Sequence, residues 1–240
     1  MNDMTTDTPD IEFRDVRYTY PGGGEALRGL SFRVDRGEKV AILGPNGAGK
    51  STMLLHTNGL LLPSAGEVLA AGVPVERKTL AEVRRSVGMV FQNPDDQLFM
   101  PTVEEDVAFG PLNMGLDQDE VERRIDAAMR AVGATGLRRR SPMQLSGGQK
   151  RAVALATVLS MQPRILVLDE PTANLDGPTR RSLIGTLGTL EATCLIATHD
   201  LDMARRICHR AIVVDEGRAV ADGPCADVLG SSVLHDILGY

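Results

Sequence analysis

The chain has few cysteines, no long apolar run and no excess of basic charge, and each shortage removes a class of function. Its three cysteines, Cys194, Cys208 and Cys225, are odd in number and include no close pair. That usage argues for reduced thiols in the cytoplasm and against a disulfide framework. Cys208 and His209 adjoin, but two neighbouring side chains do not make a tetrahedral metal site. No His/Cys cluster is present that would bind a metal substrate. No uninterrupted apolar stretch of about 18 residues occurs, so no segment is expected to span a bilayer. Residues 1–10, MNDMTTDTPD, are polar and acidic, without the basic start and apolar core of a signal peptide. They read as a flexible lead-in. With 26 Lys and Arg against 32 Asp and Glu, the net charge is −6. That balance gives no bulk attraction to nucleic acid or to an anionic membrane. Internal repeats, low-complexity tracts and heptads are also missing. What remains is 240 residues, 42% of them hydrophobic, enough for one domain with a sizeable core and room for a subdomain.

The most informative stretch is 39–52, KVAILGPNGAGKST. An apolar run, Val40 to Leu43, breaks into a glycine-rich turn with Gly44, four intervening residues, then Gly49, Lys50 and Ser51. This is the spacing of a phosphate-binding loop. Gly44, Gly47 and Gly49 let consecutive backbone N–H groups converge on one anion around Pro45, Asn46 and Ala48. A helix starting near Lys50 aims its positive end at the same point. Lys50 is expected to reach the β- and γ-phosphates, and Ser51, followed by Thr52, to offer a hydroxyl to Mg²⁺. The chain is therefore expected to bind a nucleoside triphosphate.

Around this loop the hydrophobic pattern outlines an α/β protein. Residues 11–20 alternate as a half-buried strand and stop at Pro21-Gly22-Gly23-Gly24, and 30–34 alternate again. Together they suggest a small N-terminal antiparallel sheet. Residues 68–75 are strand-like with a turn at Gly72, and Val87 to Phe91 form a short buried strand leading into Gln92. From Asn93 to about Ser160 the pattern is mainly helical. Within it, 117–132 opens with the capping pair Asp117 and Glu120 and closes at Gly133. Three runs follow, 165–168, 194–197 and 211–214, rich in Val, Ile and Leu and separated by helical segments. That pattern indicates parallel strands covered on both faces. Residues 224–240 suggest one or two terminal helices.

Two further stretches carry chemistry. ILVLDE (165–170) delivers Asp169 and Glu170 at the C-terminal end of a buried strand, where ligands of open α/β sheets collect. Asp169 is placed to hold a Mg²⁺ shell and Glu170 to orient or deprotonate an attacking water. LSGGQ (145–149) precedes a helical run, with Ser146 as a cap and Gly147 and Gly148 permitting close approach of an anion. Two phosphate-binding helix starts make sense if each protomer completes its partner's nucleotide site.

In this order, GPNGAGKST (44–52), Gln92, LSGGQ (145–149), ILVLDEP (165–171), ANLD (173–176) and THD (198–200) resemble the ATPase domains of ABC transporters. The resemblance implies a nucleotide-binding P-loop NTPase core over 11–92 and 161–223, with a parallel sheet and the small antiparallel β subdomain. It adds an inserted helical subdomain over 93–160 and C-terminal helices over 224–240, with ATP and Mg²⁺ as cofactors. It further implies that Tyr20 stacks on adenine, that Gln92 senses the γ-phosphate and Mg²⁺, and that His199 contacts the γ-phosphate. Ser146, Gly147, Gly148 and Gln149 would reach the partner's ATP, and Asp176 would couple the two sites. The segment FQNPDDQLFMPTVEEDVAFGPLNMGL (91–116) resembles the ATPases of energy-coupling factor importers, especially the cobalt and nickel group. That likeness implies a peripheral subunit on the cytoplasmic face of the cell membrane, paired with a second ATPase protomer in a homo- or heterodimer. A transmembrane scaffold would dock near 93–116, and a separate membrane subunit would bind the substrate. Leu98, Phe99 and Met100 are expected to form an apolar patch flanked by Asp95, Asp96, Glu104, Glu105 and Asp106. Vitamin importers share most of this segment, so the same role with a vitamin stays open, as does a soluble ABC ATPase outside transport.

Overall fold

The computed structural model describes residues 8–239. The alternating N-terminal residues form β1 (Ile11–Thr19) and β2 (Glu25–Val34), paired antiparallel so that Phe13 faces Phe32. Their rings stack with centroids 4.6 Å apart. β4 (Ala65–Ala70) pairs the free side of β1, and β5 (Val73–Pro74) pairs β4, giving the order β2-β1-β4-β5. The expected antiparallel sheet is therefore present but has four strands.

The second sheet has the order β10-β9-β3-β8-β7-β6. β3 (Lys39–Leu43), β6 (Val87–Val90), β7 (Ile165–Asp169), β8 (Thr193–Ala197) and β9 (Arg210–Asp215) run parallel and are buried almost throughout. Burial on both faces explains their continuous apolar runs. β10 (Arg218–Pro224) pairs antiparallel with β9 at the edge, so the sheet is mixed. Its small and charged residues gave no strand pattern to read.

α1 (Lys50–Thr57) and α2 (Leu80–Ser86) precede β6; α6 (Gly177–Thr189), α7 (Leu201–Ile207), α8 (Cys225–Leu229) and α9 (Ser232–Leu238) follow β7. Between β6 and β7 the chain inserts α3 (Val103–Asn113), α4 (Gln118–Ala131) and α5 (Gly147–Leu159). Thr102 and Glu105 form a capping box on α3, a T-x-x-E signal the sequence reading passed over. Asp117 caps α4 as expected, whereas the Glu120 carboxylate turns to Arg123 and Arg124. α5 joins two cores. Val153, Ala154 and Ala156 pack with Val103, Val107, Ile125 and Met129 of the insert. On its other side, Leu155 and Val158 pack with Val90 of β6 and Leu166 and Leu168 of β7. The apolar residues of α5 thus lock that helix to the end of β6, where Gln92 follows.

The lead-in expected over 1–10 needs correction at its end. Asp10 is fully buried, with its carboxylate bonded to Thr193 and paired with Arg164. Its backbone bonds Val34 and Ala71 at 2.8 and 2.7 Å. A buried carboxylate needs such partners, and they fasten the antiparallel sheet to β8. Residues 1–7 of that lead-in lie outside the described residues.

Gly88 in β6 touches α5 so closely that a Cβ there would lie 2.2 Å from Val158 Cγ1 and 2.8 Å from Pro163 Cγ. Gly88→Ala is expected to cost about 1–3 kcal/mol through overpacking. Denaturant unfolding should show a lower midpoint at unchanged slope.

Candidate active site

The loop after β3 turns where only glycine fits. A Cβ on Gly44, at φ 142°, would lie 2.0 Å from the Val214 carbonyl oxygen; on Gly49, at φ 104°, it would lie 2.6 Å from that of Ala26. Ala48 packs into the core beneath the loop. Lys50 folds back across it, donating to the carbonyls of Gly44 and Pro45 at 2.7 and 2.9 Å. Its Nζ also lies 3.4 Å from His199 Nε2. Burial lowers the Lys50 pKa, and the charges of Glu170 and Asp169 oppose that shift.

β7 brings its two carboxylates against this loop. Asp169 is buried, and burial raises its pKa against the pull of Ser51, Lys50 and Arg151. Glu170 takes a left-handed backbone conformation, φ 47°, held by its N–H donating to Ala197 at 2.9 Å. A non-glycine residue in that region carries strain, which persists where the surroundings fix it. Its Oε2 accepts from the His199 N–H at 3.2 Å, while buried Oε1 has no hydrogen bond and sits 3.5 Å from His199 Nε2. Burial raises the Glu170 pKa despite its contact with His199. His199 Nε2 also lies 3.0 Å from Asn46 Oδ1. Asn46, Lys50, Glu170 and His199 therefore form one polar cluster.

This cluster lines an open cleft of about 760 Å³ together with Gly47, Gly49, Ser51, Thr52, Gln92, Asp169 and Tyr20. Tyr20 Oη is 3.0 Å from Thr52 Oγ1, and its ring meets Tyr18 edge-on at 4.9 Å. Gly44 and Pro45 act from behind, through the carbonyls that hold Lys50. Ser146, Gly147, Gly148, Gln149 and Asp176 lie outside the cleft. Ser146 and Gln149 close a capping box on α5, and Asp176 caps α6 through the Thr179 N–H at 2.8 Å. Gly147 faces a neighbouring depression of about 440 Å³. Gly148 abuts α6, where its Cβ would lie 2.8 Å from Thr179.

The sequence reading missed four residues here. Arg151 is buried, donates to the Gln92 and Phe91 carbonyls at 2.5 and 3.2 Å, and so ties α5 to the segment after β6. Thr172, Arg180 and Asp200 share the cleft wall. Of these only Asp200 stood in a quoted motif. The apolar patch also differs from expectation. Leu98 is buried and Met100 half-buried, while exposed Phe99 meets Phe109 edge-on at 5.0 Å, with Leu112 also exposed. Asp106 does not flank this patch. It is buried and accepts from the Phe99 and Met100 N–H groups, both at 3.1 Å.

The family described as ABC transporter matches residues 27–173, which carry the phosphate loop, Gln92, LSGGQ and the β7 carboxylates. The chain belongs to this family. As an ABC transporter ATP-binding subunit it binds ATP and hydrolyses it in support of transport. It is 58% identical to a putative ABC transporter ATP-binding protein of Geobacter sulfurreducens over 93% of this chain and 90% of the relative. It is 48% identical to the energy-coupling factor transporter ATP-binding protein EcfA of Methanothermobacter thermautotrophicus, over 93% of this chain and 74% of the relative. Its structure resembles that of CbiO1 from Clostridium perfringens, described as part of the ABC transporter complex CbiONQ. The TM-score is 0.84, with 40% identity over 94% of this chain and 92% of that one. ABC ATPases of this kind dimerise and work with membrane components. Among the described residues of this ABC subunit, no helix is long and apolar enough to cross a membrane.

A carboxylate whose pKa is raised by folding destabilises the folded state above that pKa and ceases to do so once protonated. Glu170→Gln is therefore expected to raise the Tm of the nucleotide-free protein at pH 8. The gain should shrink as pH falls through the raised Glu170 pKa toward the ordinary 4.5. A relief of about 1 kcal/mol would appear as about 2–4 °C in a chain of this size. Thermal melts of both proteins across pH check the sign.

Proposed function

We propose that this ABC ATPase powers an energy-coupling factor importer, with two protomers closing on ATP. The observation that carries the reading is the separation of two anion-binding surfaces on one chain. The phosphate-loop cleft holds Lys50, Asp169 and Glu170, while the capped, glycine-rich start of α5 lies outside it, with Gly147 on a neighbouring depression. Each surface is half a site. Ser146, Gly147, Gly148 and Gln149 of one protomer would meet the ATP held by Lys50 of the other, whether that other is a second copy or a related ATPase. Asp176, at the head of α6, would couple the two sites.

Within the cleft, Tyr20 stacks on adenine and Gly44 to Thr52 cradle the phosphates. Ser51, Gln92 and Asp169 would hold Mg²⁺. The donor set fits, because a buried carboxylate whose pKa burial raises lies beside a hydroxyl. The ion would neutralise charge on the phosphates. Glu170 orients and deprotonates the water; its raised pKa suits a base, and its free Oε1 suits a water's proton. His199 contacts the γ-phosphate, and Gln92 senses its presence.

Residues 93–116 receive a transmembrane scaffold. The Phe99, Phe109 and Leu112 patch, with Asp95, Asp96, Glu104 and Glu105 nearby, suits a basic amphipathic helix. The segment starts directly after Gln92, so closure over ATP would shift it as part of the helical 93–160 unit. A separate membrane subunit selects the substrate, and the ATPase works at the cytoplasmic face of the cell membrane. Cobalt or nickel is the proposed cargo, on the likeness of 91–116 to that importer group.

Glu170→Gln is expected to bind ATP, lose about 10²–10⁴-fold in turnover and accumulate as a closed dimer on size exclusion. Normal hydrolysis would remove Glu170 from the base role. The cargo is tested by Co²⁺ and Ni²⁺ accumulation in cells expressing the native operon, with wild type beside Lys50→Ala. Uptake that collapses in the variant supports a metal importer and ranks the two ions. No metal uptake in either would discard that cargo and turn the test to vitamins.

A further inference from the structure

We infer that Arg180 is a positioning residue for His199 and Glu170, acting through the carboxylate of Asp200. The inference rests on the proposed roles of those two residues and adds a part that neither motif contains. Arg180 grips Asp200 side-on with two parallel donors on one edge of its guanidinium, Nε to Oδ2 at 2.6 Å and Nη2 to Oδ1 at 2.5 Å. Thr172 Oγ1 donates to the same Oδ2 at 2.9 Å, and the Met203 N–H donates to Oδ1 at 2.9 Å. Both oxygens thus accept two hydrogen bonds, and the carboxylate has no free rotation left.

The carboxylate and its side-chain donors come from three segments that each bear a site residue. Thr172 stands two residues after Glu170 and is buried. Arg180 lies on the first turn of α6, its N–H bonded to the Asp176 carbonyl at 2.9 Å. Asp200 directly follows His199, and its own N–H closes a turn onto Thr198 Oγ1 at 2.9 Å. Glu170 in turn accepts from the His199 backbone. The orientation of the 198–200 turn therefore sets both the imidazole and the carboxylate that faces it. A displacement of Asp176 by a partner would pass along α6, through one rigid guanidinium, to His199.

The planar fork is essential to this. Lysine could offer one direction of hydrogen bond but would leave the carboxylate free to rotate about it. Asp200 keeps its cap on α7 through Met203 without Arg180, so removing the fork leaves that helix start intact. Arg180 also donates to Asp202 at 2.9 Å, an exposed pair on the solvent side. Such exposed pairs contribute little to stability.

The test is steady-state ATP hydrolysis by the purified full chain carrying Arg180→Met, Arg180→Lys, His199→Ala, or Arg180→Met with His199→Ala. Arg180→Met should lower kcat about 10–100-fold, the loss expected when a catalytic group is misplaced by about 1 Å. KM for ATP and Tm should stay near wild type, and Arg180→Lys should recover part of kcat. Adding Arg180→Met to His199→Ala should cost several-fold less than in the wild-type background, because His199, one of the two residues it positions, is already gone while Glu170 remains. Wild-type kcat in Arg180→Met overturns the inference. So does an equal loss in the His199→Ala background, or a fall in kcat matched by a fall in Tm. Full activity in His199→Ala would overturn both this inference and the role proposed for His199. A lowered rate in His199→Ala beside an unimpaired Arg180→Met would overturn this inference alone.

Discussion

Charge buried at the C-terminal edge of the parallel sheet is the constraint on which the rest of the structure depends. Lys50, Arg151 and Asp169 are each less than 9% exposed, and Glu170 lies beside them half-buried. Burial pushes every one of their pKa values toward the neutral form. Removing ionised groups from water is costly unless they are paired and hydrogen-bonded, and here the pairing is incomplete. Glu170 Oε1 has no hydrogen bond and its backbone is strained. The five buried parallel strands and the two apolar cores flanking them offset that cost. An incompletely satisfied cluster in an otherwise consistent fold is where function is expected to lie.

Position, rather than composition, makes the cluster useful. β3 and β7 are separated by β8, and all three end on the same edge, so the glycine loop, the carboxylates and His199 converge from strands far apart in sequence. Gln92 reaches them from β6 at the far side of β7. Arg151 then binds the Gln92 carbonyl to α5, and Lys150 pairs with Asp95 at 2.5 Å on the same face. The start of α5 and the segment after Gln92 are thereby held as one piece. The packing of Leu155 and Val158 on β6 and β7 reinforces it from below.

Much of this was legible in the sequence because the physics was local. The glycine loop, the buried strands and the Ser146 cap each depend on residues within a few positions of one another. So does the alternation of β1, with its partner close in the chain. What stayed illegible depends on long-range packing. β10 is a strand because β9 offers it an edge, and its own residues, RAVADGP, carry no strand pattern. Asp10 looked like a tail residue because nothing nearby in sequence hints at Arg164 or Thr193. Asp106 read as a surface acid among other acids, yet it turns inward to hold the backbone of Phe99 and Met100. Thr172, Arg180 and Arg151 are common residue types in unremarkable helical or turn contexts, and only the folded chain brings their partners to them.

Part of the cleft is nevertheless satisfied within the protein itself. Lys50 donates to two loop carbonyls, His199 lies at hydrogen-bond distance from Asn46, and Tyr20 from Thr52. Triphosphate binding therefore exchanges internal hydrogen bonds for new ones instead of adding to an empty account. Neutral exchanges of that kind yield only about 0.5–1.5 kcal/mol each. On the proposed role of Lys50, the gain would come where a neutral carbonyl is replaced by a charged phosphate oxygen opposite its ammonium, since charge-assisted bonds are roughly twice as strong. Lys50 is buried against the low-dielectric wall of the cleft, which lowers its pKa and sharpens its attraction to a phosphate. The same burial that makes the nucleotide-free cleft expensive makes the cleft responsive to a polyanion, and the two properties cannot be separated by substitution at Lys50.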